Sequence, residues 1–345
     1  MTLTHSCFVV VLAGGEGSRF WPASRPERPK QLLPLGSDRP LIEDTLVRAD
    51  ALVGPERVRV IASAPLVDPL CAAASGLDST RFLVEPTARN TGPALTWAAF
   101  EIERESPGAL MISLHADHVI HPLDEFLDTI GRAAEAAERG SLVCIGVEPD
   151  RPETGYGYVE VGESTGDRTS RALRFVEKPD RATAEAYLAT GGFLWNSGIF
   201  VWRAADMLAA VRDLAPEISG ALPLLESRGP QAFFAAVEDV SIDVSVMERS
   251  ASVEVVRASF SWDDVGSWNS LARTREADEH GNIIVGPATA FEASNNIVWA
   301  EDGDVVLFGV DDLVVVRSGS RTLITKRSSA PDLKRLVERL REGGE

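Results

Sequence analysis

Seven consecutive apolar residues, Cys7 to Ala13, run straight into Gly14-Gly15-Glu16-Gly17-Ser18-Arg19. An unbroken apolar run of this length is a strand buried on both faces, the kind a parallel sheet covered by helices provides. It is too short to span a membrane. Glycines at its end allow left-handed backbone and let phosphate oxygens approach main-chain N–H groups, while Arg19 can add bidentate phosphate contacts. Neither the lysine-bearing P-loop spacing nor a full GxGxxG is present. Taken alone, the turn fits an ordinary tight connection as well as a nucleotide grip.

The next segments extend the pattern. Short apolar runs at 58–62, 81–84, 109–114 and 141–147 alternate with helical periodicity near 41–52, 93–104 and 124–139. This βα alternation predicts an α/β fold with a mostly parallel central sheet. From 155 onward, strands at 156–161, 172–176 and 193–202 and helices at 181–189 and 203–211 read as an acceptor-binding insertion on the same sheet. After about 275, runs at 283–285, 297–299, 305–308, 313–316 and 321–325 are separated by Gly, Asn and Asp, and a charged amphipathic stretch follows at 332–342. A small β module, able to coil as a short β-helix, with a terminal helix is expected there. No internal repeat is evident. The expected division is a catalytic unit over 1–275 and a module over 276–345.

Charge excludes some partners. Lys plus Arg number 34 against 52 Asp plus Glu, a formal charge of -18, which disfavours nucleic acid and anionic membranes. The three cysteines form no CxxC pair and no leader segment is recognisable, so a cytoplasmic enzyme is expected.

The segment Trp21 to Gln31 carries three prolines and three cations, a stiff loop able to present Lys30 to a phosphate. Together, LAGGEGSRFWPASRPERPKQ resembles the opening signature of bacterial mannose-1-phosphate guanylyltransferases, within the sugar nucleotidyltransferase superfamily. The resemblance implies a Rossmann-like nucleotidyltransferase fold with a mixed, mostly parallel sheet and a C-terminal module similar to a short left-handed β-helix. It also implies that Leu12, Gly14, Gly15, Gly17, Ser18, Arg19 and Lys30 embrace the GTP phosphates. It continues through EPTARNTGPA, making Glu85, Arg89, Asn90 and Thr91 nucleotide-side candidates, although such residues can equally cap the following helix.

Ala109 to Leu114 ends at His115-Ala116-Asp117-His118, where ligands gather at the carboxyl ends of parallel strands. Asp117 is therefore placed to hold Mg²⁺, a hard cation that prefers oxygen. The rival reading is a transition-metal site built from His115, His118 and His121. In the family resemblance Asp117 is the metal ligand, His118 a neighbouring site residue, and proline is common where His115 stands. SWDDVGSW resembles the family's second metal block, with Asp264 completing the Mg²⁺ site.

GYGY, VEKP and WNSGIF match successive sugar-side blocks, implying that Gly157, Glu177, Lys178 and Asn196 bind the sugar phosphate. SIDVSVME adds Asp243, though relatives often carry an aromatic where Val244 stands. Arg19, Lys30, Asp117, Lys178 and Asp264 form the expected catalytic set. The implied reaction joins GTP and mannose 1-phosphate into GDP-mannose and pyrophosphate. Alternatives are guanylyl transfer to another hexose or heptose 1-phosphate, and a catalytically silent GDP-mannose-binding regulator. The expected enzyme has a single activity, with room for a homodimer through its C-terminal module.

Overall fold

The opening apolar run folds as strand β1 (Cys7–Leu12) in this computed structural model, which describes residues 6–15 and 17–343. Glu16 of the Gly-rich turn lies outside the described residues. Val9 and Val11 enter one core with the helices Leu41–Val53 and Leu123–Glu138. Phe8 and Val10 enter a second with the helices Thr91–Glu105 and Ala204–Leu214. A strand with helices on both sides has no wet face, hence the absence of polar alternation.

The strands that follow are β2 (Val58–Ser63), β3 (Phe82–Glu85), β4 (Leu110–His115), β5 (Val119–His121) and β6 (Leu142–Val147). Beyond them lie β7 (Tyr158–Gly166), β8 (Thr169–Val176), β9 (Phe193–Arg203), β10 (Val253–Arg257) and β11 (Ser261–Asp263). Nine of these form one sheet in the order β3-β2-β1-β4-β9-β6-β10-β8-β7. Only β8 and β9 run against the other strands, so the sheet is mixed and mostly parallel. The expected insertion is part of it, because β8 pairs with β10 and β7 with β9.

Register positions the site. Leu12 lies level with Ile61 and His115, and Ser63 with Glu85, so β1 to β4 end along one edge. Short strands β5 and β11 pair antiparallel, Val119 beside Asp263, and lay the second acidic block against the end of β4. These two three-residue strands have no sequence signature, since each exists only through the other.

The C-terminal chain forms β12 (Ile283–Val285), β13 (Ala288–Phe291), β14 (Ile297–Ala300), β15 (Val305–Phe308), β16 (Leu313–Ser318) and β17 (Arg321–Lys326). Parallel pairing of β12, β14 and β16, and of β13 with β15, winds it into a β-helix-like coil. The sequence shows no evident repeat, yet the coil repeats. Ile283, Ile297 and Val314 are register partners at steps of 14 and 17 residues, and the uneven step hides the period. Inside the coil, Asn296 is fully buried and bonds Asn282 Oδ1, the Val310 carbonyl and the Leu313 N–H.

The coil is packed onto the rest of the chain. Phe20 meets Trp268 at 5.0 Å between ring centroids, Trp268 meets Trp299 at 5.5 Å, and Ile283, Ile297 and Val314 join the same buried cluster. The expected terminal helix runs Leu333–Glu342, with Leu333 and Val337 buried.

Candidate active site

The end of β1 opens into a cavity of about 400 Å³ whose walls include Gly17, Arg19, Lys30, Asp117, Asp264 and Gly266. Gly15 and Gly17 take φ of 94° and 63°, backbone that favours glycine. A Cβ on Gly17 would collide with the Lys30 side chain, so this glycine lets Lys30 cross directly over the turn. Gln31 anchors the proline-rich loop by donating to the Ala13 carbonyl at 3.0 Å. Lys30 is only 7% exposed and donates to Asp117 Oδ2 at 2.9 Å and to the Asp264 carbonyl at 2.5 Å. Arg19 donates to the Gly266 carbonyl at 3.3 Å from an exposed position. A second cavity of similar size, between the proline-rich loop and the terminal helix, lacks any carboxylate pair, so chemistry and not volume selects the first.

His115, Asp117 and His118 bring one ligand atom each within 4.8 Å of one another; His121 stands outside this group. Burial alone would raise the Asp117 carboxyl, but Lys30 foremost, with the two imidazoles, holds it down at about 2. His118 is buried and kept well below the ordinary imidazole range by desolvation. Its Nδ1 accepts the Trp262 indole N–H at 3.1 Å, so its proton sits on Nε2. That face of His118 is a donor, which weakens its part in a transition-metal site, while His115 and Asp117 keep a nitrogen and an oxygen in the cluster.

Asp263 and Asp264 diverge. Asp263 accepts from the Val265 N–H at 2.7 Å and from Arg273 Nε at 2.5 Å, holding Val265 at φ 47°, a costly angle for a β-branched residue. The strained turn aims Asp264 into the cavity, where Oδ1 accepts the Tyr156 hydroxyl at 2.7 Å. Burial raises the Asp264 carboxyl, Lys30 and Tyr156 oppose this, and Asp263 and Asp117 reinforce it. Two carboxylates on one wall, one of them short of positive charge, fit a hard divalent cation.

A neighbouring cavity of about 280 Å³ is lined by Leu12, Gly14, Gly15, Glu85, Asn90 and Thr91 among others, and His115 forms a wall of both cavities. Burial raises Glu85 to about 6, a backbone bond from Arg89 opposes it and Asp239 adds to it. Asn90, at φ 68°, caps the Thr91 N–H and donates to Asp239, and Thr91 Oγ1 accepts the Ile242 N–H. Arg89 instead donates to the Phe234 carbonyl and is not on the cavity wall.

The sugar-side candidates converge separately. Asn196 donates to Asp243 at 2.7 Å, and its main-chain N–H donates to the Gly157 carbonyl at 2.9 Å. A Cβ on Gly157 would lie 2.8 Å from the Glu177 carboxylate, so the glycine lets that side chain lie close over the backbone here. Lys178 pairs with Glu177 and is exposed. Desolvation raises Asp243, with the Asn196 bond opposing and Glu177 reinforcing it.

A nucleotidyl transferase family model matches residues 8–281, and a model described as a mannose-phosphate isomerase/GMP-like β-helix domain matches 286–340. The mannose-1-phosphate guanylyltransferase of Escherichia coli K12 is 37% identical, over 98% of this chain and 74% of its own length. That of Salmonella typhimurium LT2 is 36% identical with the same coverage. This chain belongs to the mannose-1-phosphate guanylyltransferase family. A crystal structure from Thermus thermophilus, described as a mannose-1-phosphate geranyltransferase, superposes with a TM-score of 0.91 at 35% identity, covering 97% of this chain and 99% of that one. Membership accounts for both the nine-stranded sheet and the coil packed against it.

Within this family member, several site residues escape sequence reasoning. Tyr156 belongs to a sugar-side block, but its hydroxyl serves Asp264. Arg151 lies over the Trp195 ring at 4.7 Å and donates to that same hydroxyl at 3.2 Å. His115, a departure from the family pattern, joins the two cavities. A lone arginine or histidine carries no local signal for such roles.

Proposed function

We propose that this protein transfers GMP from GTP to α-D-mannose 1-phosphate, releasing pyrophosphate and forming GDP-mannose. The observation that carries the reading is the continuity of the site. A nucleoside-sized cavity meets a phosphate cavity at His115, and Tyr156 links that cavity's Asp264 to the strand end carrying Gly157 and Asn196. The relatives' shared activity supplies guanine and mannose as the substrates.

Asp117 and Asp264 are the residues that would hold Mg²⁺, which would offset the charge on the phosphate oxygens. The chain's own groups do the rest. Glycine N–H groups and Arg19 hold the triphosphate, and Lys30 faces the departing pyrophosphate. Lys178 leaves its Glu177 partner for the acceptor phosphate, while Glu177, Asn196 and Asp243 accept and donate to sugar hydroxyls. The acceptor oxygen then attacks the α-phosphorus in line with the P–O bond to pyrophosphate. No covalent enzyme intermediate is required, because alignment of two anions and charge compensation are the whole task.

Residues 1–275 act in this reading as the catalytic unit and 276–345 as an attached module. Exposed Phe291, Val306 and Phe308 lie on the paired β13 and β15 and support a homodimer through that module; light scattering in solution checks it. No described helix is long and apolar enough to cross a membrane, and the three cysteines are unpaired, features compatible with a cytoplasmic enzyme. The deciding assay is pyrophosphate release by purified protein across a panel of nucleoside triphosphates and sugar 1-phosphates, with product masses. GTP plus mannose 1-phosphate should be fastest. Faster turnover with another hexose or heptose 1-phosphate would replace mannose. No turnover anywhere, with tight GDP-mannose binding, would make the protein a regulator.

A further inference from the structure

Every phosphate-side residue named so far lies before position 267, but the wall of the phosphate cavity is closed by a residue far beyond it. Lys334, in the first turn of the terminal helix, lines the same cavity as Gly17, Arg19, Lys30 and Asp117. The helix reaches this place because Leu333 is buried in the cluster that contains Phe20 and Trp268. Val337 and Leu340, further along, line the adjoining cavity together with Ser18 and Trp21. The helix thus lies across the turn that follows the glycines, with Lys334 on the wall of that cavity.

We infer that the C-terminal module completes the active site, and that Lys334 binds the β- and γ-phosphates of the nucleotide and the pyrophosphate that leaves. This rests on the proposed function for the identity of the substrate, but the ligand chemistry is a polyphosphate in either case. The charges in the cavity argue for it. The Lys30 ammonium is already shared between Asp117 and the Asp264 carbonyl, and Arg19 reaches the Gly266 carbonyl. A triphosphate brings several negative charges to a chain with a formal charge of -18. Lys334 meets Glu338 at 3.9 Å, too long for a hydrogen bond, and both side chains are more than half exposed. Such a pair is weak and screened, so the ammonium can turn to a phosphate at little cost. The aromatic contacts from Phe20 through Trp268 to Trp299 then have a functional consequence: they hold the coil at the distance that keeps Lys334 over the cavity.

The test uses the full chain carrying Lys334→Ala, Lys334→Glu or Lys334→Arg, with Lys326→Ala on β17 as an exposed lysine outside the cavity. An exposed charge-assisted phosphate contact is worth roughly fivefold in affinity, and reversing its sign several times more. Lys334→Ala should raise the KM for GTP about fivefold and Lys334→Glu about twentyfold or more, with the KM for mannose 1-phosphate unchanged. Lys334→Arg and Lys326→Ala should match the wild type. Calorimetric titration of magnesium pyrophosphate should weaken in the same order, and this readout needs neither a sugar nor turnover. A wild type that binds pyrophosphate but does not turn over the substrates refutes the proposed reaction and leaves this inference standing. Unchanged GTP KM and unchanged pyrophosphate affinity in both Lys334→Ala and Lys334→Glu overturn it, as does an equal loss in Lys326→Ala.

Discussion

Replacing Lys30 by methionine separates what its ammonium does for the fold from what it does for the substrate. Its Nζ lies 2.9 Å from Asp117, and the side chains are 9% and 29% exposed. Burial pushes the Asp117 carboxyl up, yet Lys30 and the nearby imidazoles bring it from its ordinary 3.8 down to about 2. A carboxyl lowered this far contributes about 2 kcal/mol to folding at neutral pH. Because the folded-state value is depressed, that contribution is complete above about pH 4 and is lost as the pH falls through about 2. Removing the ammonium strands a largely buried carboxylate, which costs about 3–5 kcal/mol when burial is full. With Asp117 partly exposed, Lys30→Met should lose about 2–3 kcal/mol at pH 7. Adding Asp117→Asn removes the stranded charge at nearly constant volume and should restore about half of the loss or more. Urea unfolding without nucleotide or divalent metal measures all four members of the cycle, and both Lys30 variants should lose turnover by about 10²-fold or more. A Lys30→Met midpoint equal to the wild type, or no recovery in the double variant, would show that the ammonium does not stabilise Asp117.

Asp117→Asn and Asp264→Asn should each depress turnover by roughly 10²-fold or more while leaving the fold intact; near-normal rates in both would sink the metal assignment. In the proposed reading Glu85 accepts from two guanine N–H groups; its value is raised to about 6, so below that pH the protonated carboxyl can no longer accept at both oxygens. The KM for GTP should therefore rise about tenfold between pH 7 and pH 5, and Glu85→Gln should abolish that dependence; a flat wild-type profile counts against the contact. Asn296→Ala leaves the Val310 carbonyl and the Leu313 N–H unpaired inside the coil. The expected cost is about 2–4 kcal/mol in denaturant unfolding, and a loss below about 1 kcal/mol would mean that water replaces the amide.

Legibility differs between parts of the chain for physical reasons. Strands β1 and β6 are unbroken apolar runs, and β2 and β4 are nearly so with Arg59 and Ser113 inside them, because helices cover both their faces; the helices Leu41–Val53 and Leu123–Glu138 keep one apolar stripe. Strand β10 sits inside the sheet but lacks a clear signal, since Glu254 and Arg257 interrupt its apolar run while pairing with Arg139 and Glu148. The helical segment Leu222–Ala236 is equally hard to read, because Gly229 and Pro230 break its period at a kink. Asn90 and Thr91 show the same split at the site. Their capping bonds are foreseeable from local chemistry, whereas the cavity wall they also form is not.

The sequence alone determined the α/β class, the Gly-rich turn on a buried strand, and the supply of carboxylates and cations that a polyphosphate site needs. These depend on neighbours within a turn or two, where side-chain period and backbone preference act. Only the tertiary structure decided that Lys30 lies between Asp117 and the Asp264 carbonyl, that Tyr156 serves Asp264, and that Lys334 closes the cavity. Those groups are brought together by pairing of β5 with β11 and by the edge-on and tilted contacts of Phe20, Trp268 and Trp299. Contacts between residues tens to hundreds of positions apart are chosen by burial and register across the whole fold, and no local period records them.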